Sequence, residues 1–320
     1  MMRSLAIVGP TASGKTALSL ELAERLSGEI ISCDSMQIYR GMDIGTAKAT
    51  AEEQARAVHH LIDVVDPSEC FSVEAYRSAA MSCAGDITSR GRLPIFTGGT
   101  GLYLDSLLRA PQADAPESDP EYRDNLIRSA GENYQDVLWE RLRSVDPESA
   151  EKIHKNNVKR VIRALEIYDK CGVPKSELDR RSHTDPPEIG VCIIALDFHD
   201  RELLYSRIDR RVDLMMDEGL FGEVSGLYSS GVLKDGTTAS QAIGYKEIAE
   251  HLRGECTLHE AVEKIKLASR RYAKRQLTWF RHTDGVHRLF VDSGDGRIRN
   301  LCDIVAEASE IAEKYIRGGS

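Results

Sequence analysis

Gly9-Pro10-Thr11-Ala12-Ser13-Gly14-Lys15-Thr16 lies between an apolar run, Leu5 to Val8, and a stretch from Lys15 to Leu26 with helical character. Strand, glycine loop and helix in that order are the setting in which G-x-x-x-x-G-K-[ST] acts as a phosphate-binding loop. The glycines let the backbone curl into a nest of N–H groups aimed at phosphate oxygens. The following helix adds the positive end of its dipole. Lys15 brings a mobile charge to terminal phosphates, and Thr16 offers a hydroxyl to Mg²⁺. Gly9, Pro10, Thr11, Ala12, Ser13, Gly14, Lys15 and Thr16 are therefore the candidate phosphate-binding residues. The loop does not name its ligand, since ATP, GTP and other diphosphates present similar oxygens, and fold-level analogy alone favours a kinase or NTPase.

On the C-terminal side, Gly28 is the expected stop of the first helix. Glu29 to Cys33 reads as a second strand that ends at Asp34. A helix is predicted over Val73 to Ser89, and Leu93 to Thr97 is a buried strand running into Gly98-Gly99-Thr100-Gly101. Strands alternating with helices imply a parallel sheet with right-handed crossovers. Carboxyl ends of such strands converge on a ligand crevice, which puts Asp34 near the phosphates. There it would bind Mg²⁺ or act as a general base toward an acceptor. The Gly98–Gly101 turn would bring backbone and the Thr100 hydroxyl to the same rim.

The pattern changes at Pro111 to Pro120, a proline-rich linker, and from Glu121 to Leu178 the periodicity is helical throughout. After a second boundary at His183 to Pro187, Val191 to Leu196 is again a buried strand. The remainder is mostly helical, with a last strand expected over Val286 to Val291 and an amphipathic helix over Asp303 to Arg317. The expected architecture is α/β: a P-loop NTPase-like parallel-sheet core, residues 1–112 and 188–320, with an inserted all-helical domain, residues 113–187.

Composition fits a globular enzyme, with 41% hydrophobic and 29% charged residues among 320. No apolar run approaches the ~18 residues of a membrane span, so no membrane role is expected. The seven cysteines are scattered and form no C-x-x-C pair, which argues against a zinc site or disulfide framework and for a cytoplasmic setting. Net charge is −9, yet Lys264 to Arg281 holds seven Lys/Arg and Lys152 to Arg163 five, neither with an acid. Two such stretches in an acidic chain are candidate phosphate-backbone contacts. Within the first, Arg270, Lys274 and Arg281 share one helix side, and Trp279 and Phe280 are either stacking groups or core.

Three segments taken together, Gly9 to Thr16, Asp34-Ser35-Met36-Gln37-Ile38-Tyr39 and Gly98-Gly99-Thr100-Gly101-Leu102-Tyr103, resemble the tRNA dimethylallyltransferases. The likeness continues through Arg40 to Lys48, His59 to Asp63, Val158 to Glu166, Gln241 to Lys246 and Lys274 to Arg281, so it covers about Leu5 to Arg281. It implies transfer of a dimethylallyl group from dimethylallyl diphosphate to N6 of adenosine 37 of tRNA, with Mg²⁺ as cofactor and diphosphate released. In that reading the loop holds a leaving group, and Asp34 is the base that takes the N6 proton. Thr11 and Thr100 join Asp34 as catalytic candidates, Thr16 is the Mg²⁺-side hydroxyl, and Arg211 matches an arginine tied to the diphosphate.

The resemblance also implies tRNA contacts at Asp34, Ser35, Met36 and Gln37, at Thr100, at Lys159, Arg160, Val161, Ile162 and Arg163, and at Gln241, Ala242, Ile243, Gly244, Tyr245 and Lys246. Arg123 is a further candidate. Arg160 and Arg163 would clamp the anticodon stem-loop. Only Cys302 follows Arg281, so the resemblance is to the bacterial type without a zinc finger, and a monomer is expected. The rivals are an adenylate isopentenyltransferase acting on AMP, ADP or ATP, and a small-molecule P-loop kinase.

Overall fold

The computed structural model describes residues 2–110, 116, 118–184, 186–233 and 236–318. The chain divides into two compact units, Met1–Leu108 with Ile189–Ser320, and Arg109–Glu188. The expected boundary at 112/113, most of the Pro111–Pro120 linker and Asp185 lie outside the described residues.

The first unit opens β1 (Met2–Val8), α1 (Lys15–Arg25), β2 (Gly28–Ser32), α2 (Ala51–Arg56), β3 (His59–His60), α3 (Val73–Ser89), β4 (Leu93–Gly98) and α4 (Gly101–Leu108). Helices α5 (Pro120–Ala130), α6 (Tyr134–Val145), α7 (Pro147–Lys152), α8 (Val158–Cys171) and α9 (Lys175–Thr184) make the second unit. The chain then returns as β5 (Ile189–Asp197), α10 (Arg201–Asp217), α11 (Leu220–Ser229), a 3₁₀ turn (Ala239–Gln241), α12 (Tyr245–Leu252), α13 (Leu258–Arg281), β6 (Val286–Phe290) and α14 (Leu301–Arg317).

The six strands form one sheet in the order β3-β2-β4-β1-β5-β6, and every adjacent pair is parallel. A parallel strand is covered on both faces and so reads as continuous apolar sequence. In β1, Leu5 and Ile7 join one core with Ile30, Ile95 and Ile194, while Ala6 and Val8 join another with Ile31, Phe96 and Ile193. Each of the larger side chains, alanine aside, contributes about 1.5–3 kcal/mol on burial. Because β1 is flanked by β4 on one side and β5 on the other, the chain leaves its neighbours in opposite directions there, which opens a crevice at the carboxyl end of β1.

Two local details differ from expectation. Ser27, at φ +52, takes the left-handed turn after α1, and Gly28 opens β2 instead of stopping the helix. Gly101 begins α4, where the sequence suggests only a loop.

The helical unit is built around Leu126, Leu138, Leu142, Val161, Ile162 and Leu165. Val161 and Ile162 are 1% and 4% exposed, so their side chains belong to this core and are not available to RNA; Lys159 and Arg160 are exposed. Glu166 is fully buried and accepts hydrogen bonds from Arg123 and Arg163 at 2.7 Å and from the Asp119 N–H at 2.7 Å. Burial opposes its ionisation, but these bonds hold its carboxyl below the usual range. Arg123 and Arg163 thus share one buried carboxylate, which holds both guanidiniums in place and leaves the trio with one net positive charge. A lone buried carboxylate would be far more costly than the pairing.

Candidate active site

A cleft of about 1170 Å³ opens at the carboxyl ends of β1, β2 and β4. Register brings these ends level: Val8 lies beside Gly98, and Ser32 beside Thr97. Gly9 continues β1 into the loop at φ +148, where a Cβ would sit 2.9 Å from the Leu196 carbonyl oxygen, so only glycine allows the chain to turn there. Thr11 to Thr16 then line the cleft as α1 begins. Gly14 at φ +96 precedes the first turn of α1, leaving that end's N–H groups directed toward the loop.

Two long-range bonds and one local one fix this loop. Gln276 on α13 accepts from the Thr11 N–H at 3.0 Å and donates to the Gly99 carbonyl at 2.9 Å, joining the two glycine loops through one amide. Arg207 on α10 donates to the Ala12 carbonyl at 2.9 Å. Lys15 Nζ donates to the Pro10 carbonyl at 2.8 Å. Gln276 is 5% exposed, so cutting it back strands a buried donor and acceptor. Gln276→Leu is expected to cost about 2 kcal/mol and lower the thermal unfolding midpoint by several degrees; an unchanged midpoint would deny the bridge any structural weight.

The cleft concentrates positive charge. Burial, then the nearby Arg211, pushes the Lys15 amine down to about 7, while Asp34 acts in the opposite sense. Arg211, on α10, is also lowered by burial and is offset by Asp34 and Glu218. Asp34 lines the same cleft and accepts the Met36 N–H at 2.9 Å, an Asx turn that holds the carboxylate just beyond β2. Tyr272 of α13 completes this wall, its phenol pushed up to about 12 by burial and by the Asp34 charge.

The chain after Asp34 lines the cleft without regular structure. The Ser35 N–H donates to Thr100 Oγ1 at 3.0 Å, linking it to the second glycine loop. Gln37 accepts from Ser32 Oγ at 3.0 Å and donates to the Thr46 and Ala47 carbonyls at 3.2 Å, so its amide is occupied in holding the segment. Lys48, 9% exposed, bonds the Tyr39 carbonyl and bridges Asp43 and Asp63. Glu223 accepts from the N–H groups of Asp43, Ile44 and Gly45 at 2.9, 2.8 and 3.2 Å and from the Tyr245 hydroxyl.

Of the sequence candidates, Thr11 to Thr16, Asp34 to Gln37, Arg211 and Gln241 to Gly244 meet at this one cleft. Tyr245 is fully buried, with its hydroxyl spent on Glu223, and Lys246 is exposed. Sequence reasoning assigned no site role to Gln276, Arg207, Lys48, Glu223 or Tyr272. The only available signal was Gln276 and Tyr272 standing at i, i+4 within the basic stretch.

Ser13 Oγ and Thr97 Oγ1, both in the cleft wall, are buried and have no hydrogen-bond partner among the described residues. With Thr16 and Asp34 they line the cleft with oxygen donors, the ligand type Mg²⁺ takes alongside phosphate oxygens and water. Among the described residues, no group of three or more His, Cys, Asp and Glu could hold a metal by itself. The donor set therefore fits an ion bound largely through its phosphorylated ligand.

A phosphate loop, a cluster of half-buried cations and a carboxylate at the tip of β2, one strand removed from β1, define a P-loop NTPase-like protein with a carboxylate at its phosphate site. Sequence comparison narrows this. An IPP transferase family model matches residues 37–283, and an isopentenyl transferase model residues 2–63. A tRNA dimethylallyltransferase of Acetivibrio thermocellus is 49% identical over 300 residues, covering 93% of this chain and 95% of the relative. A crystal structure of a tRNA isopentenylpyrophosphate transferase from Bacillus halodurans is 42% identical, covers 98% of both chains and superposes with a TM-score of 0.72. A eukaryotic dimethylallyltransferase captured acting on tRNA is 28% identical, covers 100% of this chain and 81% of its own, and superposes with a TM-score of 0.84. The chain belongs to the IPP transferase family.

Proposed function

We propose that this protein is a tRNA dimethylallyltransferase, transferring a dimethylallyl group from dimethylallyl diphosphate to N6 of adenosine 37 in the tRNA anticodon loop. The observation that carries this reading is that Asp34, after β2, and the phosphate loop, after β1, open into one cleft from the two strands that flank β4. Adenine N6 is a weak nucleophile because its lone pair is delocalised into the ring. As N6 bonds to the allylic carbon, Asp34 accepts the N6 proton. The carbon–oxygen bond breaks, and its electron pair leaves on the diphosphate. Loop N–H groups, Lys15 and Arg211 stabilise that charge. Magnesium, when bound, supplies further neutralisation of the diphosphate oxygens, and the Thr16 hydroxyl is the residue to hold it, with Ser13 and Thr97 offering their unused hydroxyls. The protein is proposed to act as a cytoplasmic monomer, with Lys159 and Arg160 as the phosphate contacts of the helical unit. Among the described residues no helix is long and apolar enough to cross a membrane.

Nucleoside analysis of tRNA incubated with the protein and dimethylallyl diphosphate tests the proposal. N6-dimethylallyladenosine in tRNA is expected. Labelled AMP consumed with tRNA untouched would establish the adenylate enzyme instead, and phosphate transfer from ATP the kinase.

Proton linkage gives an independent check on the anion site. A Lys15 amine lowered to about 7 carries fewer protons in the folded than in the unfolded protein between there and its ordinary 10.5. Stability from this group therefore rises with pH across that window, and below it the charged amine is held at a cost. An enclosed anion reverses the balance. At pH 8, inorganic diphosphate is expected to bind with uptake of about one more proton by the wild type than by Lys15→Met. Calorimetry in buffers of differing protonation enthalpy reads the difference, and equal uptake would remove Lys15 from the anion site.

A further inference from the structure

Asp43 to Lys48 line the cleft without belonging to a helix or strand. Ala47, adjoining Lys48, and Asp63, paired with it at 2.6 Å, hold left-handed backbone at φ +48 and +56. A residue with a Cβ adopts that conformation only where its surroundings impose it. Two anchors impose it here. From within, Lys48 donates to the Tyr39 carbonyl at 2.8 Å and pairs with Asp43 and Asp63. From outside comes Glu223 of α11, about 180 residues further along the chain. Its Oε2 accepts from the Asp43 and Ile44 N–H groups, and its Oε1 from the Gly45 N–H and the Tyr245 hydroxyl.

Three successive amides aimed at one anion form a nest, and here a side chain of the same protein fills it. A carboxylate has about four lone-pair sites, and the four donors on Glu223 occupy them all. Shape agrees with polarity. A Cβ on Gly45 would fall 2.5 Å from Tyr245 Cε2 and 2.9 Å from Leu220 Cδ1, so the turn lies directly against the Tyr245 ring and the start of α11. Glu223 does not line the cleft itself. Its hold is passed on by the next two residues: the Thr46 and Ala47 carbonyls both accept from Gln37 Nε2 at 3.2 Å. Gln37 lies three positions past Asp34, and its own carbonyl accepts from the Asp63 N–H at 3.3 Å. A carboxylate on α11 thus fixes a turn, the turn fixes the Gln37 amide, and that amide fixes the wall beside Asp34.

We propose that Glu223 is a positioning residue for the acceptor: by clamping the 43–45 amides it sets Gln37 and the acceptor-side wall of the cleft without touching substrate. The proposal rests on the transferase reading with a polynucleotide acceptor and adds a residue to it. The phosphate loop is anchored separately, by Gln276, Arg207 and Lys15, and none of these bonds shares an atom with the Glu223 clamp. Loosening the clamp therefore affects use of the acceptor and spares the anion site.

The test uses the full-length protein, an anticodon stem-loop RNA as acceptor and inorganic diphosphate as the anion probe. Glu223→Gln keeps the size of the side chain but turns one of its oxygens into an N–H donor facing another donor. It is expected to lower kcat/KM for the RNA about tenfold, the effect of one unmet donor, chiefly through KM, with diphosphate affinity unchanged. Tyr245→Phe removes a single donor from the same carboxylate and is expected to show the same split at about threefold; it decides the matter should the glutamine variant fail to fold. Because Glu223 acts through Gln37, the double variant Glu223→Gln/Gln37→Ala is expected to be no worse than Gln37→Ala alone. Losses that multiply in the double variant overturn the proposal, as does an unchanged KM for RNA in a folded single variant. Diphosphate affinity falling in step with RNA use marks general loosening of the fold and overturns it as well. Wild-type protein that modifies AMP and binds no stem-loop overturns the polynucleotide reading itself, a separate outcome.

Discussion

Asp34→Ala is expected to bind anticodon stem-loop RNA with near wild-type affinity and to lose about 10²–10⁴-fold in turnover, the usual worth of a positioned general base. That corresponds to about 3–5 kcal/mol of transition-state stabilisation. The alanine also removes the acceptor of the Met36 N–H bond, so the loss combines chemistry with the turn that aims the segment. Asp34→Asn separates the two, since its amide oxygen still accepts from Met36 but cannot take a proton at neutral pH. Single-turnover rates for both variants decide the role. Loss of the same size in each assigns the effect to proton transfer, whereas activity recovered in the asparagine variant would reduce Asp34 to a positioning residue.

Arg211→Gln is expected to lower turnover by about 10²–10³-fold, comparable to removing one preorganised donor to a developing negative charge. The side chain sits in the cleft wall, and burial already weighs against its charge, which makes it strong toward an anion that displaces water. Arg211 is also a cause of the lowered Lys15 amine. Removing it is therefore expected to move the Lys15 titration upward and shrink the proton uptake on diphosphate binding at pH 8. Steady-state kinetics with dimethylallyl diphosphate and buffer-dependent calorimetry read the two effects separately. A fall in turnover with no change in uptake would break the link between the two cations.

The parallel sheet was legible because doubly covered strands are written as unbroken apolar runs, as in Ile193-Ile194-Ala195-Leu196. β3 was not, since two histidines paired with Ile30 and Ile31 carry no strand pattern of their own. The phosphate loop and Asp34 were legible because each sits where a strand ends. What holds them in place was not: Gln276 reaches Thr11 across 265 positions, and Glu223 reaches the 43–45 amides across about 180. No local spacing encodes such a bond. In α8 two signals conflicted. The apolar spacing of Val158, Ile162 and Leu165 turns Ile162 inward, while resemblance treated the whole segment 159–163 as an RNA surface. The helix geometry prevails, and only Lys159 and Arg160 keep an exposed charge.

The place of β1 in the sheet has a bearing on biosynthesis. One of its edges pairs with β4 and the other with β5, which is made about 180 residues after β1 ends. At the ~5–20 residues per second of translation, that second edge waits roughly 10–40 s on the ribosome, through synthesis of the entire helical unit. A nascent chain therefore carries an unpaired apolar strand beside its phosphate loop for most of its elongation, and chaperone engagement of ribosome-bound intermediates should end only once Ile189–Asp197 has emerged.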